Sequence, residues 1–377
     1  MSKLRALQEY GQSVWLDYIK RSLISSGELA RLIREDGVRG LTSNPNIFER
    51  AIAESSEYAS DLCKFGSRHS NAKDIYEQIA IIDIQSAADA FRPIYDGSGG
   101  RDGFVSLEVS PELARDTQAT IVEAHRLWKA VGRDNLMIKV PGTLEGIPAF
   151  ELLISEGINI NVTLLFSVDL YEKVAEAYIS GVSRLNSEGG NSSRVASVAS
   201  FFVSRVDTAV DALLKERLAR ATAPEQATLK SLMGKAAVAN AKLAYERYRS
   251  IFSGPTWDAL ESAGARKQRV LWASTGTKNP AYRDVVYVEE LVGADTVNTM
   301  PPATLQAFRD HGVARDAIGE GIHEAHATIE ALERHGISMA VVTAKLLDDG
   351  QRLFVDSFRK LLAAVDKARD VAQQATA

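Results

Sequence analysis

This 377-residue sequence predicts an α/β fold: a single (β/α)8 barrel with extra helices. Three observations point to it. Short β-rich apolar runs recur eight times, nearly every run is followed by a helical stripe, and polar residues stand where the runs end. The predicted strands are Ser13–Leu16, Gly40–Thr42, Phe104–Leu107, Leu136–Val140, Ile158–Val162, Arg194–Val198, Arg269–Ala273 and Asp295–Asn298. A barrel with insertions fits this length as one unit, so residues 1–377 are read as one domain.

The helical stretches punctuate the strands. Ser25 and Glu28 have capping-box spacing, and Gly37 ends the turn that follows. Ser167 is placed to cap a helix carrying the apolar stripe Leu170, Val174, Ala177 and Tyr178. Tyr95–Gly103 is a Gly-rich loop that precedes a strand instead of following one, so it is no dinucleotide fingerprint. Leu185–Ser193 reads as a polar loop. A helical insertion covers about 222–252, stopped by Ser253-Gly254-Pro255, and a C-terminal helix covers about 339–370.

Composition narrows the classes of function. With 45% hydrophobic and 25% charged residues and a net charge of -5, nothing favours whole-surface attraction to nucleic acid or an anionic membrane. Any positive partner for an anionic ligand must be local. The single cysteine, Cys63, gives no internal disulfide framework and suits a reducing cytoplasm. No run of about 18 apolar residues and no signal segment is visible. The Asn-X-Ser/Thr matches at Asn161 and Asn191 are therefore read as chance. His323 and His326 are spaced i, i+3 but have no third ligand nearby, so no metal is expected.

In a barrel, chemistry collects where strands pass into βα loops. The polar residues there are Asp17, Asn44, Glu108, Lys139, Asn161 with Thr163, Ser200 with Arg205, and Ser274. Lys139 lies in N-L-M-I-K-V-P-G, among apolar neighbours, where an unpaired ammonium is costly to bury. It either reaches solvent or serves as an imine-forming amine. Desolvation favours the neutral nucleophile and nearby carboxylates oppose it. Glu108 closes G-F-V-S-L-E and could shuttle protons through a water held by Thr163. Asp17, after Val14-Trp15-Leu16, could take a proton from a substrate hydroxyl.

Asn44, in L-T-S-N-P-N-I-F, suits either a turn cap or a ligand contact. Asn161 and Thr163 are two apart and so share a strand face; their partners are a hydroxyl-rich substrate or the protein itself. Arg205 and Ser274 are the phosphate candidates, with Lys278 at the end of W-A-S-T-G-T-K. A surface salt bridge and an ordinary turn would account for the same residues.

The segments L-T-S-N-P-N-I-F, I-K-V-P-G-T-L-E-G-I, G-I-N-I-N-V-T-L-L-F-S and S-F-F-V-S-R-V-D resemble those of transaldolases, in the family's order from about Gln12 to Leu305. The resemblance implies a Schiff-base lysine at Lys139, a water-positioning pair at Glu108 and Thr163, and an acid/base at Asp17. It implies that Asn44 and Asn161 hold a dihydroxyacetone unit, and that Ser200, Phe202, Arg205 and Ser274 form the pocket wall and phosphate site. It further implies sugar phosphate substrates and no cofactor. Many members carry a basic residue two places after the serine matching Ser274; here that place is Gly276, and Lys278 follows two residues later. The extra helices resemble those of longer members and leave monomer or homodimer open.

Related aldolases that only cleave fructose 6-phosphate generally have glutamine for the glutamate and tyrosine for the phenylalanine, so Glu108 and Phe202 favour transfer. Two more distant classes compete with transfer: a pyridoxal phosphate enzyme, also lysine-linked, and a non-catalytic barrel that only binds sugar phosphates. The full set of strand-end groups weighs against the second.

Overall fold

The computed structural model describes residues 2–53, 55–68 and 71–374. The few remaining residues of the expected 1–377 unit lie outside the described residues. Eight parallel strands close in sequence order, each paired with the next and the last with the first. They are β1 (Gln12–Asp17), β2 (Gly40–Thr42), β3 (Val105–Glu108), β4 (Leu136–Pro141), β5 (Ile160–Leu165), β6 (Ser197–Phe202), β7 (Arg269–Ala273) and β8 (Thr296–Met300). Nearly every strand residue is buried, as expected for strands covered on both faces.

β2 and β7 occupy the expected residues. β6 begins three residues later than expected. Ser192–Arg194 forms a 3₁₀ turn instead, and the extended run continues through Phe201 and Phe202, whose rings fill the space against Tyr171, Trp272 and Phe166. Ser200 therefore sits inside the strand.

Close packing also fixes the pairing of the first two strands. At Gly40 of β2 a Cβ would lie 2.6 Å from the Trp15 ring, so any larger residue would push that buried indole out of the core.

The helices differ from expectation in three places. Ser25 ends its own short helix, Arg21–Ser25, and the next begins at Glu28 behind Gly27; the serine contacting the Glu28 N–H is Ser26, at 3.4 Å. Helix Ala72–Gly97 runs through Tyr95, whose ring packs edge-on against Phe104 at 5.4 Å, so the Gly-rich loop is shorter than expected. Leu185–Ser187 likewise complete helix Val168–Ser187 rather than joining a loop.

The other expected helices are present. The Ser167 hydroxyl accepts from the Leu170 N–H at 3.1 Å, a cap on helix Val168–Ser187. The insertion is two helices, Ala223–Leu232 and Ala236–Ile251. The C-terminal helix is one element, Met339–Gln374, longer than expected. It packs on helix Pro45–Ala53, helix Ala72–Gly97 and helix Ser204–Leu218, and so crosses the end of the barrel where the strands finish. No helix among the described residues is long and apolar enough to span a membrane.

Candidate active site

Parallel pairing aligns the polar strand ends. Glu108 pairs in register with Lys139, and Lys139 with Asn161, so three neighbouring strands present these side chains side by side. Lys139 is 5% exposed. Its Nζ lies 3.3 Å from Glu108 Oε2 and 3.4 Å from the Ser43 carbonyl oxygen, and the Phe354 ring centroid is 5.7 Å away. The amine thus does not reach bulk solvent; it is held inside the mouth of the barrel.

The chain turns sharply beyond β4. Thr143 donates to the Ala114 carbonyl at 2.6 Å and accepts from the Gly146 N–H at 2.8 Å. At Gly146 a Cβ would lie 2.0 Å from the Pro141 carbonyl oxygen, so only glycine lets this helix start so close to the strand.

Two carboxylates face the amine. Burial pushes the Glu108 carboxyl above its ordinary value, the adjacent Lys139 charge pulls it down, and the Asp17 charge pushes it up again. Burial raises Asp17 as well, against the charges of Lys139 and Lys278 and a hydrogen bond from Thr42. That bond, Thr42 Oγ1 to Asp17 Oδ1, is 2.7 Å, and the Thr299 hydroxyl lies 2.7 Å behind Thr42. Asp17 is therefore oriented by a chain of hydroxyls from β2 and β8.

Asn161 and Ser200 satisfy each other. The Ser200 hydroxyl donates to Asn161 Oδ1 at 2.7 Å, and Asn161 Nδ2 donates to Ser106 Oγ at 3.1 Å. All three are fully buried, and they form one hydrogen-bonded row across β3, β5 and β6. Thr163 differs: its Oγ1 is buried with no hydrogen-bond partner among the described residues. Asn44 caps helix Pro45–Ala53, its Oδ1 accepting from the Ile47 N–H at 3.1 Å, so it does serve as a turn cap.

Arg205, at the start of helix Ser204–Leu218, lies over the Phe202 ring at 5.6 Å. It has no ion pair or hydrogen bond among the described residues, and burial alone depresses its guanidinium. Phe202 packs in turn on Phe166 at 5.2 Å. Ser274 sits opposite, 3.0 Å from the Ser204 hydroxyl, with a left-handed backbone at φ 57°. Leu164, beside Thr163, is also left-handed at φ 65°, next to a register shift in β5. Such non-glycine residues cost about 1–3 kcal/mol and cluster at functional sites. Lys278 is exposed, and its charge reaches Asp17 without forming an ion pair among the described residues.

The structure therefore gathers Lys139, Glu108, Asp17, Asn161 and Thr163 at one end of the barrel, with Phe202, Arg205 and Ser274 on an adjoining wall. Sequence reasoning misses Thr42, Ser106, Thr299 and Phe354. Ser106 is within its reach, since it lies two residues before Glu108 and so on the same strand face. His323 and His326 are exposed on helix Ile322–Arg334, with His326 paired to Glu246 at 2.9 Å.

The family model for transaldolase/fructose-6-phosphate aldolase matches residues 14–365. A transaldolase of Thiobacillus denitrificans is 47% identical over 365 residues, covering 97% of this chain and all of the relative. Transaldolase 2 of a Nostoc species is 45% identical over 370 residues, and a Thermobifida fusca transaldolase 47% over 365, each covering 97% of both chains. With the barrel closed and the match running through almost its whole length, the chain belongs to the transaldolase/fructose-6-phosphate aldolase family.

Proposed function

We propose that this enzyme is a transaldolase that moves a dihydroxyacetone unit between sugar phosphates through a Schiff base on Lys139. The observation that carries this reading is the amine itself: a lysine almost wholly withdrawn from solvent, 3.3 Å from one carboxylate and within the field of a second. Two carboxylates whose environments both raise them can divide acid and base work.

The neutral Lys139 amine adds to the keto carbon of sedoheptulose 7-phosphate or fructose 6-phosphate. Glu108, with a water held between it and Thr163, protonates the departing hydroxyl, which leaves as water and yields a protonated imine. Asp17 takes the proton of the carbon-4 hydroxyl, and the bond between carbons 3 and 4 breaks. Its electron pair moves into the imine, giving an enamine, and the aldose phosphate departs. Glyceraldehyde 3-phosphate or erythrose 4-phosphate then adds in reverse. The imine is the electron sink, so the route calls on no cofactor.

Asn44 Nδ2 and the Asn161–Ser200 pair line the dihydroxyacetone part. Arg205, Ser274 and Lys278 take the phosphate, at the start of helix Ser204–Leu218 where N–H groups favour an anion. The unpaired Arg205 is what supports that assignment, since a desolvated guanidinium is destabilised until an anion arrives. The chain works as one catalytic unit in the cytoplasm, in the non-oxidative pentose phosphate pathway, on small sugar phosphates and not on nucleic acid.

Borohydride reduction in the presence of fructose 6-phosphate, followed by peptide mapping, tests the reading. The adduct is expected on Lys139, and labelling of another lysine would refute it. Release of free dihydroxyacetone at the turnover rate without an acceptor would make the enzyme a cleaving aldolase instead.

A further inference from the structure

The barrel positions Lys139 from below, but the group above it comes from far along the chain. Phe354 lies on the C-terminal helix, with its ring centroid 5.7 Å from the Lys139 nitrogen. It is the middle of a stripe spaced by one helical turn on each side. At Gly350 the helix comes so close to β5 that a Cβ would lie 3.1 Å from Leu164 Cδ2. At Phe358, 3% exposed, the ring packs edge-on against Tyr76 at 6.0 Å. The stripe thus runs from the end of β5, over the amine of β4, to the helix behind β3, and it fixes where the Phe354 ring stands.

We propose that Phe354 is a positioning residue for the imine: its ring face holds a cation at the Lys139 nitrogen and keeps bulk water away from it. This rests on the Schiff-base reading above. The anions near that nitrogen, Glu108 and Asp17, are also bases, and Glu108 at 3.3 Å could remove the proton from the imine and abolish the electron sink. An aromatic face attracts a cation without accepting its proton. The protonated imine stands where the ammonium stands, so the same ring serves both. The helix accordingly completes the site rather than decorating it.

The test compares Phe354→Leu, which keeps apolar volume but removes the ring, with Phe354→Tyr, which keeps the ring, both in the full-length enzyme. Wild-type trapping on Lys139 by borohydride with fructose 6-phosphate is the control, because its failure would sink the Schiff-base reading and not this one alone. With that control intact, Phe354→Leu should slow both kcat and single-turnover trapping by about 5- to 20-fold with KM within about twofold, the range expected for a partly desolvated cation–π contact. Phe354→Tyr should recover most of the rate. A Phe354→Leu enzyme with a lowered Tm but unchanged kcat per folded molecule would show a purely structural role and overturn the proposal. So would a Phe354→Tyr enzyme as slow as Phe354→Leu.

Discussion

The two ends of the barrel bury the same kinds of side chain with opposite results. Where the strands begin, Arg269 is 7% exposed and fully compensated. It meets Asp102 Oδ1 at 3.0 Å, the Ser13 hydroxyl at 2.8 Å and the Arg101 carbonyl at 2.7 Å. Ser13 and the Trp15 indole also donate to Asp102. Where the strands finish, among the described residues desolvated Arg205 has no carboxylate beside it and Thr163 Oγ1 has no partner, and both acids facing Lys139 are pushed upward by burial. At the first end the buried arginine is matched by a buried carboxylate. At the other a buried arginine and a buried threonine hydroxyl have no protein partner among the described residues, and that deficit is what a substrate with a carbonyl, hydroxyls and a phosphate can meet.

Breaking each end should therefore give opposite phenotypes. The largest effect is expected at Lys139: Lys139→Ala should lose more than about 1,000-fold in kcat and all borohydride trapping while its circular dichroism stays that of the wild type. Next is Asp102→Ala, which strands the Arg269 charge in the closed end. It should lose about 3–5 kcal/mol in denaturant unfolding, with kcat per folded molecule unchanged. A loss of activity without loss of stability would reverse the contrast between the two ends.

Arg205→Ala should raise KM for phosphorylated donors about 10- to 100-fold, the strength of charge-assisted hydrogen bonds, and leave Tm the same or higher. Unphosphorylated donors should be indifferent to the change, and equal damage to both would remove Arg205 from the phosphate site.

The smallest effect sharpens the comparison through Asp207, a buried carboxylate on the helix after β6. It accepts from the Tyr287 hydroxyl and the Ala237 N–H at 2.8 Å each but has no cation beside it among the described residues. Burial raises it to about 6. Its folded pKa lies above the unfolded one, so its stabilising contribution is full below about 4 and is lost as pH rises through about 6. Between pH 7 and pH 5 the wild type should gain about 1 kcal/mol relative to Asp207→Asn, read from urea unfolding at the two values.

How much of the molecule is legible in its sequence follows the range of the interactions involved. The strand alternation is local, so β2 and β7 can be placed to the residue, as can the cap at Ser167. Lys139 and Glu108 stand out because each interrupts an apolar run. β6 is harder to place because Arg194–Val198 has the same short β-rich look as the true strand, and only the packing of Phe201 and Phe202 decides between them. A strand sequence also cannot show which polar residues face each other, so the mutual satisfaction of Asn161 and Ser200 is invisible in it. Phe354 is illegible for the same reason. On its own it is one apolar residue in an amphipathic helix, and its place over Lys139 depends on how a helix some 200 residues later crosses the mouth.

That crossing also sets an order of events during synthesis. A nascent chain that has emitted all eight strands but not yet helix Met339–Gln374 would display Lys139 in an open cup. Catalytic competence would then arrive only when that helix has been made and docks across Leu164 and Tyr76, and barrels still lacking it would be poor consumers of the ketoses around them.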